Sequence, residues 1–232
     1  MNEDNSFDII HYQLTKKISH SIKQNKVKRY LHISSLNADP KSIGKYLKSK
    51  GKAEDFLLSE TSSFCKITIF RPSIVFGESD SFFNKFATLL KFLPVFPLAC
   101  PNAKFMPVYV EDLTDFMISA INNMDTYGQK IDVTGPNEYT FRELIDQTLI
   151  ALNTRRIIIP LNNFLSRLQA RVFEKLPGKL FTMDNYQSLQ IDSCSDEGFK
   201  GSSSLEDIIP QYLNIKTKQE RFEKLRKKSG RK

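Results

Sequence analysis

The chain has 232 residues, 40% of them hydrophobic and 26% charged, with a formal net charge of +8. That composition is globular rather than disordered or fibrous, and the length exceeds the roughly 100–200 residues of one ordinary domain, so one domain with a smaller elaboration is expected. The longest apolar stretch, Phe92 to Cys100, is interrupted by Pro94 and Pro97 and falls far short of the roughly 20 residues that a membrane-spanning helix needs.

The chain opens on the acidic stretch MNEDNSFD, which has the character of neither a secretory signal nor a transit peptide, so a cytoplasmic location is the default expectation. Ile9, Ile10, Leu14, Ile18 and Ile22 recur at helical spacing and predict a helix over 8–25. Arg29 to Ser35 reads as a strand, Ser42 to Leu58 as a helix, Lys66 to Arg71 as a strand, and Phe82 to Phe92 as a helix. Alternating strands and helices predict right-handed crossovers and a parallel sheet. Phe105 to Val110 looks extended, and Asp112 is placed to cap a helix running to about Asn123. Lys130 to Thr134 forms a strand, and Thr140 to Glu143 has the spacing of a capping box at the start of the next helix. Arg156 to Ile159 is a short strand, Asn163 to Leu176 an amphipathic helix stopped by Pro177-Gly178, and Leu205 to Leu213 follows a loose Ser/Gly/Asp-rich segment, Cys194 to Ser204.

Charge is unevenly spread. From Asn214 onward nine Lys or Arg face only Glu220 and Glu223, a balance of +7, which leaves the rest of the chain near neutral at +1. A fold that grips nucleic acid would carry a basic body, so no nucleic-acid partner is expected; a basic tail at 214–232 instead fits solubility, a protein partner or an anionic membrane. A binding module for anionic lipid or nucleic acid built on that tail is the minor alternative. Cys65, Cys100 and Cys194 are odd in number and lack C-x-x-C spacing, and His11, His20 and His32 lack ligand spacing, so neither disulfides nor a metal site is expected.

Tyr46 and Lys50 stand four residues apart, on one helix face. An ammonium beside a phenol lowers the phenol's pKa from about 10 toward the range of a general acid or base. By itself the spacing is a weak signal, and an exposed tyrosine in a lysine-rich helix is the favoured reading. Glu111 and Asp112 at a helix start are read as dipole-opposing residues, and Phe82, Phe83 and Phe86 as core. Leu161 to Phe173, with Arg155, Arg156, Arg167 and Arg171, admits an anionic-membrane reading, but an ordinary core-packing helix is the expectation.

Three motifs in order, Ile33-Ser34-Ser35, Tyr46 to Lys50 and Arg71-Pro-Ser-Ile-Val-Phe-Gly77, resemble the extended and atypical branches of the short-chain dehydrogenase/reductase superfamily over nearly the whole chain. The stretches Val27 to Pro40, Tyr46 to Gly51, Phe82 to Phe86, Pro107 to Asp112, Gly135-Pro136 and Thr140 to Leu144, with His11, resemble the branch of the NAD(P)H-binding accessory subunits of respiratory complex I and their bacterial relatives. The resemblance implies an α/β fold, a truncated Rossmann-like parallel sheet with a smaller, mostly helical C-terminal part. On that frame 1–135 is an incomplete NAD(P)-binding domain with 78–110 inserted toward the smaller lobe, 136–213 that lobe, and 214–232 a basic helical tail.

It further implies NAD(P) as cofactor, held by Ser34, Tyr46, Lys50, Pro72, Ser73 and Ile74, and, if the chain is active, Tyr46, Lys50 and Ser35 as catalytic residues. The usual catalytic hydroxyl position aligns with Leu36, leaving Ser34 or Ser35 as its substitute. The first strand, Gly-rich turn and first helix that would hold the pyrophosphate have no counterpart in the sequence, so weak cofactor affinity is expected. The implied partners are peripheral-arm subunits of complex I, a separately encoded N-terminal half, and an anionic membrane surface at the cytoplasmic face of the inner membrane. The expected role is a non-catalytic accessory or assembly protein; the alternative is an NAD(P)-dependent reductase or epimerase using Tyr46 and Lys50.

Overall fold

The computed structural model describes residues 4–175 and 181–213; the expected tail helix and the Pro177-Gly178 stop lie outside the described residues. Its centre is a parallel sheet of four strands in the order β1 (Arg29–Ile33), β2 (Lys66–Pro72), β7 (Lys130–Thr134), β10 (Phe199–Lys200). All neighbouring pairs are parallel, and β1 lies at an edge. Period-two alternation sends Ile67 and Ile69 of β2 to one face, against Leu57 of helix α3 (Lys45–Ser59), and Phe70 to the other, against Leu113 and Phe116 of α5 (Val110–Ser119). The sheet is thus covered on both faces, as parallel sheets require.

The first helix is continuous but not uniform: Asp4–Phe7 (α1) and Leu14–Gln24 (α2) flank a π-helical turn over Asp8–Gln13, and this unit packs on α3. A separate, larger core gathers α4 (Phe82–Phe92), α6 (Phe141–Ala151) and α9 (Leu205–Leu213). Phe83 is fully buried there, and the Phe82, Phe86, Phe105 and Phe141 rings lie 4.9–6.4 Å apart, so Phe82, Phe83 and Phe86 of α4 are core as expected. Short two-stranded sheets border this core: β3 (Val75–Phe76) with β6 (Val108–Tyr109), β4 (Val95–Leu98) with β9 (Ile157–Pro160), and β5 (Lys104–Phe105) antiparallel to β8 (Tyr139–Thr140).

Several boundaries differ from the sequence reading. Helix α3 starts at Lys45 rather than Ser42, because Asp39 organises a turn, accepting from the Lys41 N–H at 2.7 Å through its side chain and from the Ser42 N–H at 3.0 Å through its carbonyl. Asp112 does not cap α5. Its carboxylate accepts from the N–H groups of Ser202 (2.9 Å) and Ser203 (2.8 Å), anchoring the chain after β10. Helix α5 ends at Ser119, and α7 spans Asn163–Phe173. The capping box at Thr140 and Glu143 is present with both reciprocal bonds. The segment Cys194 to Ser204, expected to be loose, contains β10; Gly198, at φ +81°, lies so close to Asp132 that a Cβ would meet its carbonyl oxygen at 2.2 Å. Helix α8 (Met183–Ser188) was not expected; it carries a second capping box, from Thr182 and Asn185.

Two features fix α3 on the sheet. Gly51 faces the 39–40 backbone, where a Cβ would stand 2.3 Å from the Asp39 carbonyl carbon and the Pro40 nitrogen. Glu54 is fully buried; its carboxylate receives Arg71 Nε at 2.9 and 3.1 Å, a second bond from Arg71 Nη2, and Lys130 Nζ at 3.0 Å. Gly51→Ala gains about 1 kcal/mol of helix propensity but forces backbone apart, costing about 1–3 kcal/mol; urea unfolding should show a net loss of stability. Glu54→Gln leaves two cations facing an uncharged group, and the same measurement should show a loss of about 3 kcal/mol or more.

Candidate functional site

At the carboxyl end of β1, where ligands of parallel sheets bind, the chain gathers most of the residues singled out from sequence. Lys50 Nζ donates to the carbonyl of Ile33, the last residue of β1, at 3.1 Å. Ser34 follows; its N–H donates to the Phe70 carbonyl at 2.7 Å, while its hydroxyl is buried and has no hydrogen-bond partner. Ser35 donates its hydroxyl to the Leu36 carbonyl at 3.2 Å and lies beside the Tyr46 phenol, whose pKa it lowers. Leu36 is buried, its N–H on the Pro72 carbonyl at 2.9 Å, so the two serines, not position 36, present hydroxyls here.

Tyr46 is packed edge-on against His11 (centroids 5.4 Å apart) and Phe7 (5.9 Å), which come from the N-terminal helix. The Ser49 hydroxyl donates to the Tyr46 carbonyl at 2.8 Å and lies 2.8 Å from His11 Nδ1. A hydroxyl has one proton, so His11 donates from Nδ1. Sequence spacing gave His11 no role beyond the branch resemblance; its position against Tyr46 is a tertiary fact.

The electrostatics correct one expectation. The phenol of Tyr46 is not made more acidic: burial raises its pKa, Asp184 raises it further, and the Ser35 hydrogen bond opposes this without reversing it. Burial also lowers the Lys50 pKa, with Glu54 acting in the opposite sense. Both groups are therefore driven toward their neutral forms, and at neutrality Tyr46 holds its proton.

Asp184 arrives from α8. Helix α3 has Gly44 at its N-cap and thus no side chain of its own to satisfy its first donors. The Asp184 carboxylate accepts from the N–H of Lys45 at 2.5 Å and of Tyr46 at 3.3 Å, placing a negative charge at the positive end of the helix. Neither Asp184 nor α8 was found from sequence; the Thr182-to-Asn185 spacing was the available signal.

Pro72 ends β2 and Ser73 and Ile74 follow it, but their polar groups are used within the fold. Ser73 donates its N–H to Val133 at 3.0 Å and its hydroxyl to the Ser193 carbonyl at 2.7 Å. The carbonyls of Pro72 and Ile74 accept from Leu36 and Val108, each at 2.9 Å. For a dinucleotide the fit is therefore divided: Ser34, Tyr46 and Lys50 offer hydrogen-bonding groups at one point, with the orphaned Ser34 hydroxyl the clearest sign of room for a ligand atom, whereas 72–74 offer shape.

A pair of histidines makes the site acid-sensitive. Burial and the Lys50 charge lower His11 to about 4, and burial, Lys50 and His11 lower His32 to about 4 against the opposing Glu54. His32 Nε2 is buried without a partner. In the unfolded chain each imidazole is protonated near pH 6.5, so between about 6.5 and 4 the unfolded state binds more protons and stability falls as pH drops. Each histidine adds at most about 1.4 kcal/mol per pH unit to that slope, the half-buried His11 less because of solvent screening. Urea unfolding from neutrality to about pH 4.5 should show the fall, and His32→Gln should make it shallower.

Residues 22–143 match the 3-beta hydroxysteroid dehydrogenase/isomerase family. The mouse protein NADH dehydrogenase [ubiquinone] 1 alpha subcomplex subunit 9, mitochondrial, is 30% identical over 214 residues, covering 91% of this chain and 55% of the mouse protein. Its namesake from Dictyostelium discoideum is 27% identical, covering 73% of this chain and 47% of its own. The chain spans about half the length of the curated relatives it matches. Among solved structures, dTDP-glucose 4,6-dehydratase from Streptomyces venezuelae with NAD and TYD bound superposes with a TM-score of 0.63 at 14% identity, covering 91% of this chain and 66% of that one. The likeness at that identity is one of fold, and it agrees with the Rossmann-like parallel sheet. From the motifs, the sheet and the match over half its length, the chain belongs to the 3-beta hydroxysteroid dehydrogenase/isomerase family, within the extended short-chain dehydrogenase/reductases.

Proposed function

We propose that this chain is an accessory or assembly component of NADH:ubiquinone oxidoreductase (complex I), in which Tyr46 and Lys50 serve to hold a dinucleotide rather than to turn over a substrate. The observation that carries this reading is the state of the pair: Lys50 is tied to the Ile33 carbonyl, and Tyr46 is half-buried and kept protonated. A general base needs a pKa near the working pH, and everything around Tyr46 except Ser35 moves it away. The mouse and Dictyostelium relatives, named as subunits of NADH dehydrogenase, support the same partner.

In this reading Lys50 and Tyr46 hold the nicotinamide ribose, Ser34 supplies a further hydroxyl, and Pro72, Ser73 and Ile74 form the wall against the ring. A bound NAD(P) supplies hydride-transfer capacity; the residues of this chain orient its ribose and exclude water from it. The Rossmann-like part comprises 1–135, with 78–110 reaching toward a C-terminal lobe at 136–213. A partner that adds a strand at the open edge of β1, and attachment at the cytoplasmic face of the inner membrane, fit the same role.

A specific observation favours a second reading, an NAD(P)-dependent reductase or epimerase. The Ser34 hydroxyl is free of internal partners, and Ser35 lowers the Tyr46 pKa from beside the phenol, so a hydroxyl, a tyrosine and a lysine lie together. Tyr46→Phe separates the two. As an accessory protein, the full chain comigrates with complex I on native gels, and the variant does so undiminished. Dinucleotide-dependent turnover that falls by about 100-fold or more in the variant, with no association with the complex, would establish the reductase instead.

A further inference from the structure

Helix α7 faces the wrong way for a core helix. Its buried side is made of small and polar residues: Ser166 and Ala170 are fully buried, the Ser166 hydroxyl accepts from the Cys100 N–H at 3.1 Å, and Gln169 donates to the Pro97 carbonyl at 3.1 Å. The large apolar side chains are on the other side. Phe164 is 75% exposed, and Leu165, Leu168 and Val172 are 42–49% exposed. At 100° per residue these four form one outward arc, with the exposed Arg167 and Arg171 between that arc and the buried side.

The apolar surface continues beyond the helix. Val95 of β4 pairs with Ile157 of β9, Pro97 pairs with Ile159, and Val95, Ile157 and Ile159 are all exposed. Phe92, 80% exposed, precedes them at the end of α4. Helix and strands meet at a slot of about 140 Å³ bordered by Leu93, Pro97, Gln169 and Phe173. Isolated exposed apolar residues need no explanation, but a continuous patch across three elements marks an interaction surface.

Its charge selects the occupant. Residues 155–175 carry Arg155, Arg156, Arg167, Arg171 and Lys175 against the single acid Glu174. Arginine stems can lie along an apolar layer while their guanidinium groups reach the phosphate level, and an amphipathic helix with that border lies in the plane of an anionic interface. No described helix is long and apolar enough to cross a membrane, so the contact is at the surface. We propose that the outward face of α7, together with the exposed side of β4 and β9, is a docking surface for an anionic lipid bilayer, with Phe164 and Leu168 inserted among the acyl chains and Arg167 and Arg171 at the headgroups.

The test is flotation of the full chain with vesicles of phosphatidylcholine alone and of phosphatidylcholine mixed with phosphatidylglycerol. Wild-type protein should float with the mixed vesicles. Phe164→Asp/Leu168→Asp, at exposed positions and checked for folding by circular dichroism, should reduce binding at least tenfold. Arg167→Gln and Arg171→Gln should each reduce it about fivefold, on the mixed vesicles only. A chain ending at Leu213 keeps α7-dependent binding if α7 is the site. The proposal fails if wild-type protein binds neither vesicle, if the double aspartate variant floats like wild type, or if removal of 214–232 alone abolishes binding. It fails equally if the aspartate variant merely converts a self-associated protein to monomer, which would identify a second copy of the chain as the occupant.

Discussion

A single buried carboxylate sets the geometry at the carboxyl end of β1. Glu54 lies one turn beyond Lys50 on α3, inside the protein, where an unpaired charge is not tolerated. Arg71 from the end of β2 and Lys130 from the start of β7 both reach it, and Arg71 also donates to the Ala38 carbonyl at 3.3 Å in the loop after β1. Desolvation offsets much of the attraction in such a cluster, so its main effect is positional. With Glu54 inside, α3 must sit where both cations can meet it, and that placement puts Lys50 over the end of β1. The arginine of the Arg-Pro-Ser-Ile-Val-Phe-Gly motif is thus a structural partner of the tyrosine helix.

Other polar ties work in the same way across the sheet. Arg29 donates to the carbonyls of Lys66, Ala120 and Ile121 and to the hydroxyls of Thr68 and Thr126, joining β1 to β2 and to the link between α5 and β7. Asp112 holds the chain beyond β10, and Asp184 closes the start of α3 from a helix 138 residues away in sequence. In each case one side chain satisfies backbone groups that secondary structure leaves open. The C-terminal part is therefore coupled to the Tyr46 helix through backbone donors, and a shift of α8 would be felt at Tyr46.

What was legible in the sequence follows from range. The parallel sheet, the α4 boundaries and the Thr140 capping box come from local periodicity or from side chains bonding their own backbone, and all three are observed. The motif order also identified Tyr46, Lys50 and the two serines as neighbours. Strand β10 has two residues, too few for a period, and exists because Gly198 permits its approach to β7. The role of Asp184 needs α8 folded against α3. Helix α7 shows a different limit: periodicity located an apolar arc but could not say which way it faces. Ser166, Ala170 and Gln169 bury because they approach backbone closely and bond it, a requirement that hydrophobicity does not encode.

The Tyr46–Lys50 pair shows why spacing alone does not define an active site. Four residues on a helix bring a phenol and an ammonium to one face, but their acidity depends on what surrounds them. Here Phe7 and His11 cover the ring, Asp184 adds negative charge, and Ile33 occupies the ammonium. His11 is itself held neutral by the same burial and by Lys50, so it brings no positive charge that would favour a phenolate. The one feature pulling toward chemistry is Ser35, whose lowering of the phenol pKa is outweighed by burial. In the proposed clamp, holding a ribose needs only a donor and an acceptor in fixed places, whereas proton transfer also needs a pKa that this enclosure moves the wrong way.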